Sequence, residues 1–183
     1  MILQEYTILK GDDFCLKFYI SDVELDYYTN CKILLYFNDI EYILLNDNVL
    51  FIYNVLKQYI ENMDNYQLDN RLNEFELGKG YNDYLYTIFE NIDNEDIIFT
   101  KDGEWIGEKY CCFSTKEYAT WIYKFKNSIY LMVTRVFQEF EEDDIESAYS
   151  MFINEPLTVF TTKISCIDLE NFFKLLTALK TKL

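Results

Sequence analysis

The strongest constraint on how this chain can fold is a pair of short apolar runs standing two residues apart. KILLYF (32–37) and IEYILL (40–45) are separated only by Asn38-Asp39, residue types that tolerate the left-handed backbone of a tight turn. Strands joined this closely pair antiparallel, because a parallel pair needs a long crossover. The pattern recurs. IIFT (97–100) and EWIGEKYCCF (104–113) flank Lys101-Asp102-Gly103, and YATWIYKF (118–125) and SIYLMVTRVF (128–137) flank Lys126-Asn127. FCLKFYI (14–20) and LTVFTT (157–162) read as further strands.

Between these runs the period changes. Val49, Ile52, Tyr53, Leu56, Tyr59, Ile60 and Met63 recur at helical spacing. That predicts an amphipathic helix over about 48–63, with Asn46 and Asp47 as caps. A second helix is expected over 166–182, opened by a Ser165/Asp168 capping box and buried through Phe172, Phe173, Leu176 and Leu179. YNDYLYTIF (81–89) is ambiguous between strand and helix, and the polar stretch from Asp64 to Tyr81, closed by Gly78 and Gly80, reads as a loop. The expected class is α+β: a mainly antiparallel sheet built from consecutive hairpins, covered by two amphipathic helices. With 183 residues the chain fits a single domain spanning 1–183. The alternative is two similar strand–helix halves, 1–64 and 81–183, joined by the polar loop.

Charge narrows the partners. The net charge is −16, which repels phosphate backbones and anionic membrane surfaces and favours cationic proteins. Five scattered cysteines, with no Cys-x-x-Cys pair, fit reduced thiols better than a disulfide framework. The first residues, MILQEYTILKGDDF, lack the basic and apolar regions of a signal peptide, and the apolar runs are too short to span a bilayer. A cytoplasmic location follows as the expectation.

Catalysis finds little to work with. The chain has no histidine, which removes His-based acid–base chemistry, Ser-His-Asp triads and His-bearing zinc sites. A carboxylate hydrolase stays open, since 32 Asp and Glu residues allow chance pairs. The acidic runs DNED (93–96) and EEDD (141–144) lack the calcium-loop pattern. Gly78-Lys79-Gly80 matches no phosphate loop, and Ser114-Thr115-Lys116 lacks the spacing of a Ser-Lys nucleophile. Adjacent Cys111 and Cys112 would point to opposite faces of a strand and could not share an ion. No catalytic residue, metal or cofactor is assigned.

Two stretches gather acidic residues and carry no Lys or Arg. Tyr81 to Thr100 holds Glu90, Asp93, Glu95 and Asp96; Val136 to Thr162 holds Glu139, Glu141, Glu142, Asp143, Asp144 and Glu146. Phe140, Tyr149 and Phe152, and in the first stretch Tyr84, Tyr86 and Phe89, lie among them. Rings within charge suit a docking surface, with rings for the buried centre and charge for steering. A solvated acidic loop beside core aromatics would give the same pattern.

The C-terminal third resembles small bacterial proteins of toxin–immunity loci. Carrying the resemblance are Trp121, Ile122 and Tyr123 on one strand, Val133 and Thr134 closing the next, then Tyr149, Pro156 and the helix from Ser165. Arg135 stands where that pattern has proline. The resemblance covers roughly a third of the chain and brings no catalytic residues. It implies a non-enzymatic neutraliser whose variable insert, here the acidic stretch, meets a basic toxin or nuclease domain. A phage-encoded charge mimic directed at a host defence nuclease would use the same physics.

Overall fold

The computed structural model describes residues 3–21, 28–74, 76–92, 94–138 and 144–180. It contains two four-stranded antiparallel sheets of consecutive hairpins, with four α-helices. The first sheet runs in chain order through β1 (Leu3–Lys10), β2 (Phe14–Ser21), β3 (Asn30–Phe37) and β4 (Ile40–Asn48). β1 was not expected; its mixed sequence LQEYTILK suits a partly exposed edge strand. The second sheet orders β5 (Cys111–Ser114), β6 (Tyr118–Phe125), β7 (Ser128–Arg135) and β8 (Thr158–Ile164).

The tight turns are as the sequence implies. Asn38 and Asp39 have φ of 52° and 61°, and Lys126 and Asn127 have 46° and 67°. Positive φ at both central residues matches the turn to the strand twist of a two-residue hairpin. Thr100–Glu104 closes another turn around Gly103, φ 85°, but IIFT (97–100) forms no strand there and makes only an isolated bridge from Phe99 to Trp105.

On the first sheet, Leu16, Phe18 and Ile20 alternate into the core. The opposite face carries a polar network in which the Tyr19 hydroxyl and the Lys17 ammonium both reach Glu5, each at 2.8 Å. The second sheet is covered on both faces at its centre. One face, with Trp121, Met132 and Thr134, lies under α2 (Leu77–Glu90); the other, with Val133 and Phe160, meets the first sheet. There Phe160 packs on Phe14 and Phe37 at ring separations of 4.8 and 5.2 Å. The buried cluster draws on both sheets.

Helix α1 (Val49–Asn62) buries Val49, Ile52, Leu56 and Tyr59. Its cap is Asn48, whose side chain accepts from the Phe51 amide at 2.9 Å, and not Asn46 or Asp47, because β4 runs on to Asn48. Asp47 instead accepts from the Asn48 amide and side chain. Helix α4 (Cys166–Lys180) opens with the expected box: Ser165 donates to Asp168 at 2.7 Å and the Asp168 amide donates back to the Ser165 hydroxyl at 3.2 Å. It packs Phe172 on Phe18 and Phe173 on Tyr53.

Three expectations change. The polar stretch 64–81 is not all loop: after a single 3-10 turn at Met63–Tyr66, α2 begins at Leu77 and includes both glycines. A Cβ on Gly78 would stand 2.7 Å from Thr134, and one on Gly80 2.7 Å from the Trp105 indole. These glycines therefore permit close helix–sheet approach. Second, 104–113 is strand only from Cys111, since Glu108–Tyr110 forms a 3-10 turn behind buried Trp105. Third, among the described residues the helices number four: α2, and α3 (Ile145–Ile153), join the two that periodicity predicts.

Candidate docking face

Helix α2 is fastened to the second sheet by a buried amide. Asn82 is wholly inaccessible. Its nitrogen donates to the Gly78 carbonyl at 2.7 Å and to the Arg135 carbonyl at 3.0 Å, while its oxygen accepts from the Phe137 amide at 2.7 Å. The next residue along, Asp83, ties α2 to α3, accepting a 2.6 Å hydrogen bond from the Tyr149 hydroxyl. Tyr149 in turn stacks on Tyr86 almost in parallel, rings 4.1 Å apart at 3°, and meets Phe137 edge-on. The two helices thus share one aromatic joint.

Charge gathers around that joint. Burial, then Glu90 and Glu146, raise the Tyr86 phenol above its ordinary value; Glu90 follows Tyr86 by one turn of α2, and Glu146 precedes Tyr149 by one turn of α3. Burial first, and the Asp83 carboxylate second, push the Tyr149 phenol far up. Exposed apolar side chains occur on both helices: Phe89 one turn after Tyr86, and Ile88 and Met151, 58% and 71% accessible, two residues from the paired tyrosines and so on other helix faces. Among the described residues, neither Glu90 nor Glu146 has an ion-pair partner.

Glu90, Glu146 and Tyr149 are therefore brought together. Tyr149 is buried behind Tyr86 and supports that ring from within. Asp144 caps α3, accepting from the Ser147 amide at 3.1 Å. Glu95 is exposed on the loop after α2; Asp96 lines a cavity of about 260 Å³ with Asp83, Lys79 and Trp105. Asp93, Glu139, Phe140, Glu141, Glu142 and Asp143 lie outside the described residues. Tyr84 turns toward Trp105 and Phe99. Phe152 lies under the Arg135 guanidinium, which also pairs with Glu155. Arg135, the departure from the immunity pattern, thus secures the segment after α3. Asn82 and Asp83 were not singled out in the sequence, although helical spacing continued back to Leu77 would have marked Asn82 as buried.

A second concavity, about 360 Å³, lies where β4 and the start of α1 meet α2 and residues 108–114. Asp47, Glu108, Tyr81 and Cys111 line it with Leu45, Phe51 and Phe113. Burial, with Glu108 nearby, pushes the Cys111 thiol up to about 12, which leaves no thiolate for nucleophilic chemistry at neutral pH. Among the described residues, no trio of His, Cys, Asp or Glu could hold a metal, and no helix is long and apolar enough to cross a membrane.

Comparison with protein-family models, with curated proteins and with solved structures finds no match for this chain.

Proposed function

We propose that the chain is a non-enzymatic acidic inhibitor that binds and occludes a basic partner protein, as an immunity protein does its toxin. One observation carries this: Glu90 lies one helical turn from Tyr86 on α2, Glu146 one turn from Tyr149 on α3, and the two rings stack, with exposed Phe89 one turn from Tyr86. An interface needs a desolvated ring or aliphatic centre and a charged rim. The rim steers a cationic surface into register, and such steering raises association rates toward ~10⁸–10⁹ M⁻¹s⁻¹ at low salt. Where the partner is a nuclease, carboxylates would occupy positions that phosphates otherwise take.

The test is co-expression of the chain with the basic protein that it retains at low salt and releases at high salt. A partner toxic alone and harmless together with the chain supports the inhibitor. The proposal fails when Glu90→Lys/Glu146→Lys retains and neutralises that partner as well as the natural chain does. An eluted defence nuclease in place of a toxin would favour the phage-encoded alternative.

The carboxylate-hydrolase alternative draws its support from the cavity bearing Asp47 and Glu108, where partial burial and Glu104 raise the Glu108 carboxyl. Hydrolysis needs two carboxyls free to face one reacting bond. Asp47 Oδ1 already accepts two hydrogen bonds from Asn48, at 2.6 and 2.8 Å, so the pair suits binding better than catalysis.

A further inference from the structure

That cavity stands apart from the docking face and has a chemistry of its own. Its volume, about 360 Å³, falls in the range of small-molecule sites, which favour junctions between packed units. Here the junction is between the two sheets, with walls from β4, α1, α2 and β5. Leu45, Phe51 and Phe113 make the apolar side. Asp47, Glu108, Tyr81 and Ser114 make the polar side, and no Lys or Arg lines the space.

The polar groups select by sign. Among the described residues, neither Asp47 nor Glu108 has an ion-pair partner. An anion would be repelled, and a neutral guest would leave the carboxylates as they are. A bare divalent cation would want several oxygen ligands, whereas much of this wall is aromatic and aliphatic. A cation on an apolar body answers both sides at once: carboxylates take charge-assisted N–H bonds, and rings favour both the body and the charge.

We propose that the cavity binds a small organic amine, with the ammonium against Glu108 and Asp47 and the apolar body against Leu45, Phe51 and Phe113. Tyr81 and Ser114, whose side chains hydrogen-bond to each other, line the same space and add polar atoms to its wall. Binding here requires no partner protein, and it stands or falls independently of the docking face.

The probe is phenethylamine, titrated into the full chain against its neutral counterpart 2-phenylethanol, with amide NMR shifts recorded. The amine is expected to saturate near ~1 mM, the affinity of a weak fragment, with shifts at Phe51, Tyr81, Cys111 and Phe113. Removing a charged hydrogen-bond acceptor in Glu108→Gln should weaken the amine about tenfold and leave the alcohol unchanged. Phe51→Ala, at an exposed ring, should weaken both. Equal affinity for amine and alcohol overturns the proposal, as does an amine affinity untouched by Glu108→Gln, or shifts that fail to saturate. Should Glu108→Gln unfold, Phe51→Ala and the amine–alcohol contrast in the natural chain still decide the matter.

Discussion

The Tyr149 hydroxyl donates to Asp83 at 2.6 Å across 66 positions of the chain. This bond joins the two acidic segments, because Asp83 lies on α2 and Tyr149 is the buried residue of α3. Tyr149→Phe keeps the ring stack and deletes only the bond. Hydrogen bonds to charged groups contribute about 1.5–3 kcal/mol, less when the acceptor can turn to water. A loss of about 1–2 kcal/mol in urea unfolding is expected, with α3 gaining amide exchange before the sheets do.

Asn82→Ala should cost more. It orphans the Phe137 amide and the Arg135 carbonyl inside the protein, and unsatisfied buried groups cost about 1–3 kcal/mol each. A loss of about 3 kcal/mol by urea unfolding is the expected outcome. A loss below about 1 kcal/mol would mean that water enters and replaces the amide.

Gly78→Ala tests whether α2 lies as close to β7 as described. Helix propensity alone would reward alanine by about 1 kcal/mol. The added Cβ, however, meets Thr134, which is fully buried and accepts from the Trp121 indole at 2.9 Å. Overpacking of this kind costs about 1–3 kcal/mol, so a net loss is expected by thermal or urea unfolding. Stabilisation would show that the helix stands further off.

Alkali should unfold the chain through its tyrosines. Burial pushes the Tyr81 phenol up to about 12 and raises Tyr59, Tyr123 and Tyr149 as well. A group with a raised folded-state pKa contributes stability that is complete below its unfolded value, about 10 for tyrosine, and is lost as pH climbs toward the folded value. Urea midpoints should hold from pH 7 to about 9 and fall above about 10. The part of the phenolate absorbance that comes from the buried tyrosines should rise together with unfolding, after that of exposed ones such as Tyr28.

Charge reversal at the docking face should separate binding from folding. Glu90→Lys/Glu146→Lys, and separately Glu141, Glu142, Asp143 and Asp144 to Lys, should slow association with the basic partner about tenfold or more at low salt. The unfolding free energy should change by about 0.5 kcal/mol or less for Glu90→Lys/Glu146→Lys, and should fall by about 1 kcal/mol in the second variant, which removes the Asp144 cap of α3. Unchanged association in both variants would remove the acidic segments from the interface.

What was legible in the sequence was local. Asn38-Asp39 and Lys126-Asn127 announce their hairpins because a two-residue turn with positive φ has few solutions. Ser165 and Asp168 announce α4 because the capping bonds span only three residues. The strand periods of 14–20, 32–37 and 118–125 carried the antiparallel α+β class with them. The base-free acidic segments were plain to see, though not their meeting.

The rest was decided by contacts between distant residues. Gly78 and Gly80 read as breakers on their own, and become helical only where Thr134 and Trp105 leave no space for a Cβ. Residues 104–110 have strand composition, yet Trp105 packs against α2 and Trp121 and the chain then turns through a 3-10 corner at Glu108–Tyr110. Glu90 and Glu146 stand 56 positions apart in the sequence and come to flank one stacked pair of rings only through Asn82, Asp83 and Tyr149. Periodicity and turn chemistry act over a few residues, so the sequence by itself determined which elements could form. Which faces of those elements meet is settled by packing and by buried hydrogen bonds, and that is a property of the whole fold.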